Sequence, residues 1–453
     1  MSNQQPKNQK IDIQEEIPGK QSTLLRQMED KYLANGLQGF ALMSDIAVKS
    51  AKGSQVIDVD GNVFLDIIGG IGVNGLGHSH PVWVKAMQAQ LEEVSVGSFT
   101  SKPRVELLQK ISKVAHNGLH RLQLYSSGAE AVESALRLCK NYTGKYELAS
   151  FSGGFHGKTQ GALGLMGSTF KNTYAPFSSG NHILPYANCY RCPFNTTHPK
   201  CGLQCIDYAR VQLKNNLTSG LAAIIIEPIQ GTAGNVIPPD DFMKAVEELA
   251  REFQALLICD EMITGFGRTG KYWCAQHSNI KPDIILIGKQ FGGGFPISGI
   301  LTNDKINETK PWGLPSGSSS SYGGNPLAAA AANTTLGIIE DENLVENSKQ
   351  IGRYFLEKLA SFKEEFSFIG EIRGRGLMLA IELVKDKTNK IPLERKQTEN
   401  LFKIFLHSGL LTMAYTSQFR IQPAMTIDKG TIDEVVKALR LGFNIFKKEL
   451  NNH

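Results

Sequence analysis

A lysine at the end of an apolar run is the first feature of this sequence that calls for a chemical explanation. Ile284–Ile287 are four large apolar residues in a row and predict a buried strand. Lys289 follows almost at once, and Gly292–Gly294 then leave the backbone nearly bare. A free ammonium group is costly to bury. Lys289 is therefore a candidate for a role in which its amine is not a free cation.

An aspartate ends another predicted strand. In "LLICDE", Asp260 and Glu261 come at the carboxyl end of an apolar run. Ligands of α/β sheets bind outside the carboxyl ends of the strands. The segment between Asp260 and Lys289 is long enough for one crossover to a neighbouring strand, so both side chains are expected at one edge of the sheet. A carboxylate there can hold a protonated ring nitrogen.

The third feature is the start of a helix. "SSGAEAVESALRL" carries a capping box, in which Ser127 is the N-cap and Glu130 its partner three residues on. Gly128 and Ala129 fall in the first turn, where small side chains let an anion reach free backbone N–H groups and the helix dipole favours negative charge. Alone, this is an ordinary capped helix; combined with Lys289 and Asp260, it is a candidate phosphate site.

These three features together are the components of a pyridoxal 5′-phosphate (PLP) site. The lysine forms a Schiff base with the cofactor, and the aspartate keeps the pyridine nitrogen protonated so that the ring withdraws electrons. A Schiff base shares the charge of Lys289 with the cofactor, which explains how the lysine tolerates a buried position.

The rest of the sequence predicts a sheet that brings the strand ends together. From about residue 120, strands such as "RLQLYS" and "AAIIIEP" alternate with helices such as "AEAVESALRLCK". This pattern indicates an α/β domain with a mostly parallel sheet covered by helices. The pattern after about residue 340 indicates a smaller α/β domain. We expect a flexible segment at 1–24, part of the small domain at 25–75, the large domain at 76–338, and the rest of the small domain at 339–453.

Composition excludes several classes of protein. The 453 residues carry a net charge of only +5 without a basic block, so a nucleic-acid partner is not expected. No apolar run reaches about 18 residues, so a membrane span is not expected. The start, "MSNQQPKNQKIDIQEEIPGKQ", lacks the apolar core of a signal peptide. We therefore expect a cytoplasmic protein.

Two glycine-rich motifs are similar to nucleotide-binding loops but lack the required context. "GIGVNG" matches G-x-G-x-x-G, yet the next helix cannot begin before about Pro81, too late to meet a pyrophosphate. "GFGRTGK" is followed by Tyr272 and not by the Ser or Thr that would hold magnesium. Neither a dinucleotide nor a nucleoside triphosphate is expected.

Four of the seven cysteines cluster in "CYRCPFNTTHPKCGLQC". In a chain without a secretion signal, such a cluster indicates a metal or reduced thiols more than disulfides. The C-x2-C half suits zinc, but the middle loop is short for a zinc ribbon. We expect no metal here, although a non-enzymatic metal-binding or regulatory protein is a competing hypothesis. The cluster consists of Cys189, Cys192, Cys201 and Cys205.

The order and spacing of these motifs resemble the class III aminotransferases of PLP fold type I, the family of 4-aminobutyrate, ornithine, acetylornithine and putrescine aminotransferases. The resemblance runs from about residue 25 to 445. It rests on "SSGAEAVESA", "FSGGFHGKT", "IIIEPIQG", "CDEMITGFGRTG", "PDIILIGKQFGGGFP", "SYGGNPLA", "IRGRGLMLAIEL" and "FRIQPAMTI".

The resemblance implies a role for each matching position. It implies a homodimer (or a dimer of dimers) with a large PLP-binding domain and a smaller α/β domain. The implied roles are Lys289 as the Schiff-base lysine and proton carrier, Asp260 on the pyridine nitrogen, Gly128 and Ala129 on the phosphate, Ser321 reaching the phosphate in the partner subunit, Phe155 and Met262 on the two faces of the ring, Glu227 as support, and Arg420 as the clamp for a substrate carboxylate, with Lys158 beside the substrate.

Three positions depart from the 4-aminobutyrate and ornithine pattern. Thr232 follows "EPIQG", where a Glu commonly masks the clamp arginine. Ile263 stands where Gln often contacts the phenolate oxygen of PLP, and Lys158 stands where several members have Arg. A lysine supplies a point charge without the planar fork of arginine. The departures imply that Arg420 is open to an α-carboxylate, and they weaken an assignment to 4-aminobutyrate itself.

The leading hypothesis is transfer of an amino group from an ω-amino acid, diamine or related amine to a 2-oxo acid such as 2-oxoglutarate, pyruvate or glyoxylate. The alternative is a PLP-dependent amino-acid racemase or epimerase on the same scaffold, which nothing in the sequence excludes. The sequence leaves the donor and the acceptor open.

Overall fold

The computed structural model describes residues 10–451. The strands, numbered along the chain, are β1 (Val48–Lys52), β2 (Gln55–Asp58), β3 (Val63–Asp66), β4 (Arg121–Tyr125), β5 (Glu147–Phe151), β6 (Asn181–Leu184), β7 (Leu221–Ile226), β8 (Leu256–Asp260), β9 (Ile284–Ile287), β10 (Ser298–Thr302), β11 (Ile369–Arg375), β12 (Met378–Asp386), β13 (Ile391–Pro392), β14 (Leu410–Leu411) and β15 (Gln418–Ile421).

The helices are α1 (Lys20–Glu29), α2 (Gly39–Ser44), α3 (Gly69–Gly72), α4 (Pro81–Glu93), α5 (Lys102–Lys113), α6 (Gly128–Thr143), α7 (Gln160–Gly164), α8 (Gln204–Asn216), α9 (Asp240–Glu252), α10 (Asp304–Asn307), α11 (Pro326–Asp341), α12 (Leu344–Leu359), α13 (Phe362–Glu365), α14 (Arg395–His407) and α15 (Lys429–Asn451). A short 3-10 turn spans Lys289–Gly292.

The described chain divides into two compact units. The larger unit consists of Pro81–Lys349 together with Val73–Gly75. The smaller unit takes in the described chain up to Gly72, then Leu76–His80, and the chain from Gln350 onward. The division falls within α12.

The larger unit is built on a seven-stranded sheet in the order β4-β10-β9-β8-β7-β5-β6. Strands β6, β5, β7, β8 and β9 are parallel to one another. Strand β10 is antiparallel to both β4 and β9, so β4 runs in the same direction as β9. The predicted α/β fold with a mostly parallel sheet is confirmed, and the carboxyl ends of six strands lie at one edge.

Apolar side chains hold this sheet in place. All residues of β5, β7, β8, β9 and β10 are buried, as expected for strands covered on both faces. Helix α6 packs Ala131, Val132 and Leu138 against this core, and its capping box fixes where the helix begins. Helix α4 begins at Pro81, which confirms that no helix opens at Gly75, the third glycine of the "GIGVNG" motif.

The smaller unit contains two four-stranded sheets. One has the order β1-β2-β3-β14, with β3 and β14 parallel; in the other, β12 pairs with β11, β13 and β15. Residues 1–9 of the segment expected to be flexible lie outside the described residues. Further along that segment, Asp12 bridges to Val63, and the Gln14 N–H donates to Asn62 Oδ1 at 2.9 Å. Within residues 10–451, no helix has the length and apolar character needed to span a membrane.

Candidate active site

The larger unit gathers its polar groups at the carboxyl edge of its sheet. Asp260 is the last residue of β8 and pairs with Leu286 of β9. Lys289 comes two residues after β9, and Glu227 comes directly after β7. The first turn of α6 follows β4 at the same edge. Residues far apart in sequence therefore meet because parallel strands end together.

Asp260 forms a buried pair with His156. The His156 Nδ1 and Asp260 Oδ2 atoms are 2.7 Å apart, and both side chains are almost fully buried. The other carboxylate oxygen of Asp260 accepts from the Met262 N–H at 3.1 Å. Two donors thus fix the orientation of the Asp260 carboxylate.

The pKa of His156 reports the charges around it. Burial alone lowers this pKa, but the hydrogen bond and charge of Asp260, with the charge of Glu227, outweigh burial and raise it above its ordinary value. The charge of Lys289 opposes this rise. Lys289, Asp260, Glu227 and His156 therefore form one electrostatic group.

Glu227 is the second buried carboxyl group of this edge. Its Oε1 accepts from the Phe155 N–H at 2.8 Å and its Oε2 from the Gly231 N–H at 2.9 Å. Burial raises the pKa of Glu227, and the charge of Asp260 adds to this, while His156 opposes it. Glu227 thereby ties the segment that carries Phe155 to the loop after β7.

Met262 lies between two backbone segments of the site. A Cβ atom added to Gly128 would lie 3.1 Å from the sulfur of Met262, and one added to Gly288 would lie 2.5 Å from it. The thioether therefore fills the space between the first turn of α6 and the residue that precedes Lys289. Any larger residue at Gly288 would displace it.

Lys289 itself has a left-handed backbone, with φ 47°. Non-glycine residues seldom adopt this conformation, and they concentrate at functional sites when they do. Lys289 opens the 3-10 turn that ends at Gly292. Its side chain is partly buried.

The first turn of α6 supplies backbone donors. Ser127 Oγ accepts from the Glu130 N–H at 3.3 Å, while Glu130 Oε2 accepts from the Ser127 N–H at 2.8 Å. The first N–H groups of any helix have no acceptor within the helix. At Gly157, which has φ 130°, a Cβ atom would lie 2.9 Å from the Cβ of Ala129. The "FHG" segment is therefore packed closely against this turn.

This arrangement fits PLP. The first turn of α6 can bind a phosphate, and the buried Asp260 carboxylate can hold a ring nitrogen. The charge of Lys289 lowers the pKa of His156, the partner of Asp260, so the lysine amine is near this pair. Lys289, Asp260, Gly128, Ala129, Phe155 and Met262 all belong to this edge of the larger unit.

The other predicted residues of the larger unit are exposed, except Ile263. Ser321 and Thr232 are exposed. Lys158 is exposed as well, with its ammonium 5.1 Å from the centre of the Phe170 ring. Ile263 is buried, and a Cβ atom added to Gly231 would lie 3.3 Å from its Cδ1. Lys158 thus has an aromatic neighbour that its sequence motif did not indicate.

Arg420 belongs to the smaller unit. It lies in β15, opposite Ala380 of β12, and its side chain is partly buried. Its two strand neighbours, Phe419 and Ile421, are fully buried. The alternation of strand side chains accordingly sets Arg420 on the opposite face from these apolar neighbours.

The cysteine cluster follows β6 and extends into α8, which contains Cys205. Its four cysteines line one cavity together with His198, and none of the four is in a disulfide. Burial raises the pKa of Cys205 to about 11. Among residues 10–451, no three His, Cys, Asp or Glu side chains are placed to share a metal ion. That the cluster works without a metal stays a prediction.

His156 is the residue of this site that the sequence analysis missed. It follows Phe155 in "FHG", a motif used only for its aromatic residue. A histidine next to a predicted ring-stacking position is a usable signal, because a neutral or charged imidazole is a common partner of buried carboxylates. Its pairing with Asp260 depends on the sheet and not on local spacing.

Comparisons with known proteins agree with this geometry. The chain matches the family model Aminotransferase class-III over residues 40–441. It is 33% identical over 395 residues to a leucine/methionine racemase of Thermococcus litoralis, and the aligned region covers 86% of this chain and 88% of that protein. It is also 33% identical over 401 residues to an acetylornithine aminotransferase of Methanosarcina acetivorans, covering 87% and 91%. A PLP-bound amine transaminase from an uncultivated Pseudomonas species matches with a TM-score of 0.85 and 27% identity, covering 91% of this chain and 98% of that one.

Proposed function

The chain belongs to the class III aminotransferase family, PLP-dependent enzymes of fold type I, and we propose that it moves an amino group from an ω-amino acid, diamine or related amine to a 2-oxo acid. The observation that supports this most is the meeting of Lys289, the Asp260–His156 pair and the first turn of α6 at one sheet edge. An electron-withdrawing cofactor held between an acid and an amine is what amino transfer requires.

The cofactor would be held by groups of this chain. When bound, PLP supplies an electron sink that makes the carbon next to the amino nitrogen acidic. We propose that Gly128 and Ala129 donate backbone N–H groups to its phosphate and that Asp260 accepts from its ring nitrogen. Phe155 and Met262 would cover the two faces of the ring, with Glu227 holding the Phe155 segment in place.

Lys289 has two proposed tasks. Its Nζ would hold the cofactor as a Schiff base when no substrate amine is bound. When not bound to the cofactor, Nζ would take a proton from the substrate carbon as a general base and return it as a general acid. Nζ must be neutral for the first of these steps, and burial favours a neutral amine.

Substrate choice is assigned to the residues for which the family resemblance implies that role. We propose that Arg420 holds a substrate carboxylate, because a guanidinium matches a carboxylate with two parallel hydrogen bonds. Lys158 is proposed to add a positive charge at the substrate side. Thr232 and Ile263 stand where 4-aminobutyrate-type members have Glu and Gln, so a donor other than 4-aminobutyrate is favoured.

We also propose a homodimer (or a dimer of dimers) in which Ser321 reaches the cofactor of the partner subunit. Tyr322, which follows Ser321 in the chain, is 64% exposed, and Phe99 is 91% exposed. Arg104 connects their segments, since it donates to the carbonyls of Phe99 and Gly324. We propose that the partner subunit covers these exposed rings. Light scattering of the purified chain would measure its mass in solution.

The cytoplasm is the proposed location. The seven cysteines form no disulfide, which suits a reducing compartment. Fractionation of cells that express the tagged chain would test this.

A donor and acceptor panel tests the proposed function. The purified enzyme with PLP is incubated with each of several ω-amino acids, diamines and β-amino acids, together with 2-oxoglutarate, pyruvate or glyoxylate. Formation of glutamate, alanine or glycine is followed by chromatography. Amino transfer from at least one amine is expected, and Lys289→Ala should abolish it. No transfer across the panel would contradict the proposal.

A racemase is the second candidate, favoured by the relative named leucine/methionine racemase and by an alanine/serine racemase of Pyrococcus horikoshii, 31% identical over 441 residues. Single enantiomers of these amino acids, incubated without a 2-oxo acid, would be followed by chiral chromatography. Inversion faster than amino transfer would favour the racemase over the transaminase.

A further inference from the structure

Gln290, the residue after Lys289, is a buried polar side chain with an incomplete set of partners. It is 1% exposed. Its Nε2 donates to the carbonyl oxygen of Gly265. Its Oε1 is buried and makes no hydrogen bond with any described residue. A buried acceptor without a donor destabilises the fold. An apolar side chain of the same length would avoid this cost, so the presence of glutamine indicates that the Nε2 hydrogen bond has a function.

The hydrogen bond joins two segments that carry site residues. Gly265 lies in the segment after β8, three residues beyond Met262, and Gln290 lies in the turn that Lys289 opens. The same segments are joined by the rings of Phe266 and Phe291, which stack with centroids 5.0 Å apart and an angle of 5° between planes. Both rings are fully buried.

Each segment also holds a non-glycine residue in the left-handed region. Phe266 has φ 54° and Lys289 has φ 47°. Such conformations persist only where surrounding contacts fix them. The Gln290 bond and the ring stack are contacts of this kind, because the bond joins the neighbours of Phe266 and Lys289 and the stack holds the Phe266 ring itself.

We propose that Gln290 is a positioning residue for Lys289, acting through the Gly265 carbonyl. It holds the lysine turn at a fixed distance from the segment that carries Met262, and so sets where Nζ stands relative to cofactor and substrate. The inference rests on the proposed function for its catalytic consequence, but the positioning itself is a property of the protein.

The Gln290→Met variant separates positioning from folding. Methionine matches the length of glutamine, and it removes the unpartnered Oε1 along with the donor. The Gly265 carbonyl keeps the Arg268 N–H at 3.4 Å as a second donor, so the fold should be as stable as before. Gln212→Met is a matched control, because Gln212 also donates from Nε2 to a backbone carbonyl, that of Ile183 at 3.1 Å, away from the site.

The first measurement uses cofactor-free protein. Amide hydrogen exchange of the peptide around Lys289–Gly293 should be faster in Gln290→Met, since the Phe291 and Gly293 N–H groups are bonded within this turn. Gln212→Met should leave it unchanged. Wild-type exchange of this peptide in Gln290→Met would overturn the proposal whatever the enzyme's reaction proves to be.

The second measurement uses the enzyme with PLP. Gln290→Met should lower kcat roughly 10- to 100-fold, as a misplaced reacting group does, with little change in KM and an unchanged melting temperature. Gln290→Glu should recover activity as pH falls, because only the protonated carboxyl can donate to Gly265. If wild-type amino transfer is absent, the proposed function fails while the exchange result stands; if transfer is present and kcat is unchanged in Gln290→Met, the positioning role fails.

Discussion

Replacing Asp260 by Asn should separate the charge of this residue from its shape. The amide has the size of the carboxylate and keeps an oxygen for the Met262 N–H. It loses the negative charge that pairs with His156 at 2.7 Å and that would keep the cofactor's ring nitrogen protonated. A hydrogen bond to a charged group contributes about 1.5–3 kcal/mol, so the cofactor-free variant should lose a similar amount of unfolding free energy.

The catalytic loss should exceed the loss of stability. A fixed charge aimed at the reacting group commonly contributes on the order of 10²–10³ in kcat, or about 2.7–4 kcal/mol. We expect kcat for amino transfer to fall by this factor in Asp260→Asn at saturating PLP. The assay is formation of the amino-acid product by chromatography, with folded protein quantified by circular dichroism and denaturation in urea.

A matched control lies at the other end of the neighbouring strand. Asp283 precedes β9, is bonded to Arg251 at 2.6 Å and accepts from the Leu257 N–H at 2.8 Å. Asp283→Asn should cost stability and leave kcat unchanged, because the amino edge of the sheet carries no site residue. A kcat for Asp260→Asn within about threefold of wild type would refute the role given to the charge, since that corresponds to less than about 0.7 kcal/mol.

Three further outcomes follow from the same geometry. In the cofactor-free protein, the pKa of His156 is raised, so protonation of His156 stabilises the folded state. This stabilisation is fully present below about pH 6.5 and is lost as pH rises through the folded-state pKa. Urea denaturation across this range should show the decline in unfolding free energy, and the decline should be smaller in Asp260→Asn. Gly157→Ala should lower the unfolding free energy by about 1–3 kcal/mol and weaken PLP binding, since the new methyl group would meet Ala129 at 2.9 Å and φ is 130°; fluorescence titration with PLP measures this, and unchanged affinity would contradict the packing argument. Lys289→Ala should remain folded and lose the PLP adduct that borohydride makes permanent; mass spectrometry would detect any adduct that survives.

Features set by neighbouring residues could be predicted from the sequence. The capping box at Ser127 needs only residues three apart, and α6 does begin at Gly128. Apolar runs ending in a charged residue predicted strands that stop near Asp260 and Lys289, and β8 and β9 end at Asp260 and Ile287. Both patterns involve residues close together in sequence, so they can be recognised without knowing the order of strands in the sheet.

Contacts between distant segments could not be predicted in this way. The pairing of His156 with Asp260 and the bond from Gln290 to Gly265 depend on which strands are neighbours. Periodicity reports that a strand is buried, but not that β10 enters between β4 and β9 in the opposite direction. The family resemblance implied a role for Met262 without indicating that its sulfur fills the space beside Gly128 and Gly288.

The parallel pairing of β3 with β14 has a consequence for synthesis. Leu65 pairs with Leu410, so the first sheet of the smaller unit stays open along β3 until the ribosome has released β14. The larger unit is nearly continuous in sequence and can form before then. An unpaired strand edge invites other chains to add to it, and large proteins are prone to aggregate at such stages. The nascent chain is therefore most vulnerable during the interval between these two events, and truncations before β14 should aggregate although the larger unit is complete.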